Sequence, residues 1–168
     1  VVPRGQYSLD LGKSKILKKG KDITIISTSF MTPEFKKIYK ILDEKKIGYE
    51  HIDLISCKPL DKKTIIQSVK KTGRVLILDT GFKSNSISSE IISIINENCF
   101  KHLKYQPIRL TAPDIPEPTS YNLTKFYYKK SNDIIDVISR IFSKKIKYLK
   151  DEKEYKHDVP DKFFKGPF

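Results

Sequence analysis

Ile23-Thr24-Ile25-Ile26-Ser27-Thr28 is β-branched at almost every position and nearly apolar throughout. A strand with one face in water alternates polar and apolar residues. A run without that alternation fits a strand covered on both faces. The residues after it support the reading. Thr32 is a candidate helix N-cap, with Pro33 at the first helical position and Glu34 in the first turn. Phe35, Ile38, Tyr39, Ile41 and Leu42 then recur at helical spacing, and Gly48 is expected to end that helix.

The same alternation continues downstream. Tyr49 to Ile55 reads as a strand, and Asp61 as the cap of a helix over Lys62 to Lys71 that Gly73 stops. Val75 to Leu78 is a buried strand, Ser88 to Asn98 a helix, and Ile108 to Leu110 a short last strand. Ser131 or Asn132 caps a final helix whose apolar side carries Ile134, Ile135, Val137, Ile138, Ile141 and Phe142. Strands alternating with helices of this length predict right-handed crossovers and a largely parallel sheet with helices on both faces. Gln6 to Leu11 alternates as a half-exposed strand does. Ser14 to Leu17 is a second candidate, placed antiparallel at an edge. The expected organisation is an extended lead-in with an edge strand over 1–20, an α/β domain over 21–143, and a charged, aromatic tail over 144–168.

Leu110-Thr111-Ala112-Pro113-Asp114-Ile115-Pro116-Glu117-Pro118 packs three prolines into six residues. Proline fixes its own φ and pushes the preceding residue toward extended geometry, so the last strand must give way to a stiff loop. Asp114, between two prolines, is expected to accept hydrogen bonds from neighbouring backbone N–H groups.

Composition narrows the function classes. The 168 residues carry a net charge of +13, with Lys outnumbering Arg by 29 to 4. Base readout favours the planar fork of Arg, and Ala112 is the single alanine beside abundant Ile and Asn. The Lys excess therefore reads as codon bias plus solvated faces, and nucleic acid is not the expected partner. A binding module for another anionic partner stays open. No apolar run approaches the roughly 18 residues needed to span a bilayer. Val1-Val2-Pro3-Arg4-Gly5 lacks the pattern of a signal peptide, so a processed start or a piece of a longer polypeptide is expected. Cys57 and Cys99 fit reduced thiols of a cytoplasmic protein, both partly buried.

Chemistry-bearing residues are sparse. The turn Ser27 to Thr32 has no glycine to cradle a phosphate, although its hydroxyls could hold an anion. The turn Asp79 to Ser86 lies where α/β sheets place ligands and has one glycine. His51, His102 and His157 stand at no metal-ligand spacing, and His51 reads as a core-edge or interface residue. Asp53, Asp61, Asp79 and Glu90 are the carboxylates of interest, each with a strand-end or capping role available. No catalytic, cofactor-binding or metal residues are assigned.

The order of segments resembles a known family. Pro3-Arg4-Gly5-Gln6-Tyr7, Leu11-Gly12-Lys13-Ser14-Lys15, Lys21 to Ser27, Ile52-Asp53-Leu54 with Pro59-Leu60-Asp61, and Ser68 to Arg74 look like the C-terminal domain of 2-oxo-acid dehydrogenase beta subunits. Thr111-Ala112-Pro113-Asp114-Ile115-Pro116-Glu117-Pro118 is similar to that family's Thr-Gly-x-Asp-x-Pro-x-Pro signature. The resemblance spans roughly residues 2–142. It implies membership of the transketolase group and a three-layer α/β/α fold with a five-stranded, mostly parallel mixed sheet. It implies that thiamine diphosphate and magnesium serve the intact enzyme from residues outside this chain. An alpha subunit and a second beta subunit are the implied partners, with a lipoyl acyltransferase as a further one. The implied reaction decarboxylates a 2-oxo acid such as pyruvate and passes the acyl group to a lipoyl carrier.

Three departures bear on partners. Asn85-Ser86 replace the family's Gly-Gly after the third buried strand. Lys104 stands where an acidic docking residue is usual, and a positive charge there opposes a basic partner. The chain also continues through Phe163, Phe164 and Phe168, which read either as docking the acyltransferase or as covering a patch on this domain or a neighbouring subunit. A stand-alone transketolase-like enzyme is the alternative reading.

Overall fold

A computed structural model describes residue 5 and residues 8–149. Five strands form one sheet in the order β1-β3-β2-β4-β5. They are β1 (Lys15–Lys18), β2 (Ile23–Ser27), β3 (Tyr49–Asp53), β4 (Val75–Phe82) and β5 (Ile108–Ala112). β2, β3, β4 and β5 are mutually parallel, and β1 lies antiparallel along β3, pairing Lys15 with Asp53 and Ile16 with Ile52. This is the mixed sheet expected, with the early strand at an edge.

Helices cover both faces. α1 (Met31–Lys36), α2 (Tyr39–Glu44) and α6 (Ser131–Phe142) bury Phe35, Ile38, Leu42, Ile134 and Ile138 against Ile23, Ile25, Leu76 and Leu78. α3 (Lys62–Thr72) and α4 (Ile87–Cys99) bury Ile65, Val69, Ile91 and Ile95 against Ile26, Ile52, Val75 and Ile77. Successive β2 residues thus feed two separate apolar layers, and all five are buried. That is the physical content of a strand without polar alternation.

Several local expectations change. The helix after β2 breaks into α1 and α2, because Ile38 N–H bonds the Phe35 carbonyl in a tightened turn at 3.2 Å. Thr32 lies inside α1, and its hydroxyl is drawn off by Asp53 rather than capping. Gly48 does not end α2. Lys46, at φ 55°, closes it, and Gly48 N–H instead donates to Asp22 at 2.7 Å. β3 stops at Asp53, short of Ile55. Within the expected strand 6–11, Ser8 to Asp10 are irregular and Leu11-Gly12 form a turn. β1 is already the sheet edge, and Leu9 and Leu11 remain exposed.

A short helix, α5 (Tyr121–Tyr127), escaped the sequence reading. The α6 N-cap is Lys130 rather than Ser131 or Asn132. The orphan amide of Ser131 finds the buried carboxylate of Glu34 at 3.0 Å, and the Ser131 hydroxyl reaches the same oxygen at 2.7 Å. A negative charge at a helix N-terminus is favourable, so Glu34 ties α1 to α6 across 97 residues. The segment after α6 returns along it, with Leu149 N–H on Asn132 Oδ1 at 3.0 Å and Ile146 buried.

Asp61 and Gly73 behave as read. Asp61 accepts Thr64 N–H at 3.1 Å, and its other oxygen takes Ser14 N–H at 2.8 Å. Gly73 closes α3 at φ 72°, and a Cβ there would stand 2.8 Å from the His102 carbonyl oxygen. Its own carbonyl accepts Lys104 N–H at 2.7 Å. Gly73→Ala is therefore expected to destabilise the chain by at least about 1–2 kcal/mol. Urea unfolding should show the lowered midpoint, and hydrogen exchange should show lost protection at the Lys104 amide.

Candidate functional site

The chain leaves β2 toward β3 on one side, then crosses back so that β4 and β5 extend the sheet on the other. The strand order reverses between β2 and β4. Open α/β sheets place ligands at the carboxyl ends of strands beside such a reversal. Ser27, Thr28, Asp53, Asp79 and Thr80 gather there. Thr28 N–H bonds Leu78 O at 3.1 Å, and Leu54 N–H bonds Ser27 O at 3.0 Å.

The carboxylates at this end hold the fold. Asp79 is buried, and its two oxygens accept Gly81 N–H at 3.0 Å and Ser88 N–H at 3.1 Å. It therefore braces the turn after β4 and the first turn of α4, where Ser86 makes no side-chain cap. Glu90 lies in that same first turn. Asp53 accepts the Thr32 hydroxyl at 2.9 Å. Among the described residues, no group of three His, Cys, Asp or Glu side chains is placed to hold a metal.

His51 is wholly buried in β3. Its Nε2 lies 2.7 Å from Ser27 Oγ and its Nδ1 2.5 Å from the Tyr39 hydroxyl. Ser27 Oγ is in turn 2.7 Å from Thr32 Oγ1. Proton counting fixes the direction. Asp53 can only accept, so Thr32 donates to it and must accept from Ser27. Ser27 then accepts from His51, which carries its proton on Nε2, and Tyr39 donates to Nδ1. The relay runs from Tyr39 through His51, Ser27 and Thr32 to Asp53, linking α2, β3, β2 and α1. Every buried donor in it is used.

Burial, aided by the nearby Lys36 charge, pushes the His51 imidazole down to about 3, and burial with Tyr49 nearby pushes the Tyr39 phenol up to about 12. The folded chain thus holds His51 neutral. His51 is therefore an interior residue, packed against the Phe35 and Tyr39 rings, rather than the core-edge or interface residue expected. Cys99 is buried as well, and burial raises its thiol. Cys57 is exposed, contrary to the partial burial expected of both thiols, because it stands in the loop after β3 rather than under a helix.

Asp114 is exposed, and its partners are not its neighbours. Ser84 in the β4–α4 turn donates its N–H at 2.8 Å and its hydroxyl at 2.9 Å to the two oxygens. These bonds, with Lys83 nearby, hold the carboxyl below its ordinary range. The bridge joins two loops 30 residues apart, and Asn85 follows at φ 53°, a conformation that glycine adopts readily. Lys104 is exposed just after the 3-10 turn Phe100–His102, with its stem against Gly73 at the C-terminus of α3. A cation suits that helix end. β5 separates Lys104 from Asp114, so they occupy opposite ends of the sheet. Phe163, Phe164, Phe168 and His157 lie outside the described residues.

Beside Asp79 a cavity of about 710 Å³ opens between the start of α1, the end of β5 and the α5 segment. The sequence signal for it was the stiff loop through Pro118, which forms one wall. The helix that completes it was the missed α5.

An α/β/α layer structure, doubly wound about β2 and carrying one antiparallel edge strand, is the class defined by this geometry. The family model described as transketolase, C-terminal domain, matches residues 12–134, and the chain belongs to that family. It is 38% identical over 145 residues to the pyruvate dehydrogenase E1 component subunit beta of Mesostigma viride, covering 86% of this chain and 44% of that protein. The subunit of the same name from Acholeplasma laidlawii is 37% identical over 117 residues, covering 70% of this chain and 36% of that protein. The mitochondrial 2-oxoisovalerate dehydrogenase subunit beta of Dictyostelium discoideum is 40% identical over 127 residues, covering 75% and 34%. The chain thus spans less than half the length of these curated relatives. A solved structure described as a split gene transketolase, inactive beta4 tetramer, shares the fold with a TM-score of 0.69 at 22% identity, covering 82% of this chain and 44% of that one.

The enclosed relay sets the behaviour of His51. The ring is expected to show Nε2–H and bare Nδ1 in nitrogen-15 NMR, with no titration above pH about 4. Its folded value lies below the ordinary 6.5, so its contribution to stability is complete above pH 6.5 and declines as pH falls toward 3. His51 titrating near 6.5 would contradict the relay. Asp114→Ala should speed hydrogen exchange at the Ser84 amide while leaving amides of β2 protected.

Proposed function

We propose that this chain is the assembly domain of a 2-oxo-acid dehydrogenase beta subunit, of the pyruvate type, in the cytoplasm. The observation that carries the reading is the identity of 37–38% to pyruvate dehydrogenase E1 beta subunits over most of this chain. The work of the domain is to pack against subunits, with an alpha subunit and a second beta subunit as partners. Thiamine diphosphate and magnesium serve the intact enzyme.

The carboxylates at the sheet's carboxyl end support a cofactor site elsewhere in the intact enzyme. A diphosphate with its divalent cation calls for a free carboxylate and a close-approaching backbone turn. Both oxygens of Asp79 are engaged by amides of the fold, one oxygen of Asp53 takes the Thr32 hydroxyl, and the turn after β2 has no glycine, although the one after β4 has Gly81. The cofactor's chemistry is therefore assigned to the remainder of the intact enzyme. No helix among the described residues is long and apolar enough to cross a membrane.

Lys104 bears on the further partner. An exposed cation at that sheet end favours an acidic docking surface on a lipoyl acyltransferase, or excludes a basic one. Phe163, Phe164 and Phe168 are assigned to covering an interface on the tail, and Asp114 to shaping the loop surface at the other sheet end.

The reading is tested by co-expressing this chain, as a separate polypeptide, with the remaining part of a pyruvate dehydrogenase beta subunit and its alpha subunit. Recovery of a stable complex containing all three is the expected result. Failure of this chain to join, with the others soluble, would overturn it. Calorimetry with thiamine diphosphate and Mg²⁺ on this chain alone should show no heat of binding, and micromolar affinity would place the cofactor site within it. Lys104→Glu should leave assembly intact and raise retention of a basic docking domain severalfold on a pull-down column.

A further inference from the structure

We propose that the cavity at the carboxyl ends of β4 and β5 is a binding site for a small amphipathic anion, an aromatic or branched aliphatic body carrying a carboxylate-like head. This stands apart from the dehydrogenase reading and needs no partner subunit.

The volume of about 710 Å³ lies within the range of about 300–1,000 Å³ that small-molecule sites occupy. Its body is apolar. Phe30 and Met31 enter from the start of α1, Ala112 from the end of β5, Pro118 from the stiff loop and Tyr128 from beyond α5. Ala112 is the chain's single alanine, and any longer side chain there would take up part of the space. The loop is stiffened twice, by its prolines and by the Asp114–Ser84 bridge, so the wall is formed before a ligand arrives.

The mouth is cationic. Lys125, Lys129 and Lys130 line it, Lys125 with its ammonium 5.3 Å from the centre of the exposed Phe126 ring, and among the described residues none of the three forms an ion pair. Two acids also line the cavity. Asp79 has both oxygens committed to Gly81 and Ser88 amides, which leaves its charge turned toward α4. Glu117 opposes three lysines, so the rim keeps a positive excess. Lysine ammonium groups on flexible stems act as point charges for a carboxylate, sulfonate or phosphate head. An apolar pocket under a cationic rim selects a ligand with both parts. A simple anion gains little from the walls, and a neutral hydrocarbon little from the rim.

The test uses 8-anilinonaphthalene-1-sulfonate as the probe on the 168-residue chain, displaced in turn by 4-phenylbutyrate, 4-phenylbutan-1-ol and 4-phenylbutylamine. Expected is displacement by the acid at concentrations at least tenfold lower than by the alcohol, and none by the amine. Lys125→Glu with Lys129→Glu should weaken probe binding at least tenfold with the melting temperature unchanged. Ala112→Leu should lower affinity without changing the preference for the acid. Amide shifts on adding 4-phenylbutyrate should centre on Thr80, Ala112 and Lys129, which separates the site from any loosely packed surface that takes up the probe. Equal displacement by acid and alcohol would overturn the proposal, as would shifts centred elsewhere. So would a dimer seated over the cavity, seen by sedimentation and dissociated by the charge-reversed variant.

Discussion

Burial of β2 on both faces is the constraint on which the rest of the fold depends. Ile23 and Ile25 require one helical layer, and Ile26 requires another on the opposite side. Its two hydrogen-bonding edges are filled as well, by β3 on one side and β4 on the other, which makes it a central strand of the sheet. Parallel neighbours need crossovers, and the crossovers are the helices that cover the two faces. The reversal of strand order beside β2 then sets where a crevice can form. Loss of apolar character at β2 would remove the reason for both layers at once.

A strand so enclosed still carries polar side chains, and these set the second level of organisation. Thr24 meets Ser68 and Thr72 of α3 at 2.7 and 2.8 Å, on one face. Ser27 joins the relay from Tyr39 to Asp53 on the other. Buried hydroxyls left unpaired would cost about 1–3 kcal/mol each, so these bonds select one docking of each helix among several that would bury similar apolar area. Glu34 does the same for α6. Its carboxylate supplies the acceptor that the helix N-terminus lacks, and so fixes where α6 sits over α1.

The two ends of the sheet are then free for different work. At the amino end of β5, Lys104 extends a charge over the C-terminus of α3. At the carboxyl end, Asp114 ties two loops and frames the cavity under Lys125 and Lys129. The buried carboxylate beside that cavity, Asp79, is occupied in bracing a turn and the start of α4.

Read alone, the residues determined the buried strands, the alternation of strand and helix, the cap at Asp61, the stop at Gly73 and the family marker through Pro118. These depend on local geometry and periodicity, which each residue carries with it. The tertiary structure decided the rest. His51 gave no sign of its partners because Ser27 and Tyr39 reach it from other elements. Asp114 read as a local turn acceptor, yet its donor is Ser84, 30 residues away. Glu34 looked like a first-turn acid of its own helix and serves the N-terminus of α6 instead. The α5 segment carries a weak pattern over seven residues and was missed, although it closes the cavity. A hydrogen bond or a cavity wall between distant segments has no period and no spacing in the sequence. It exists only once the layers have packed.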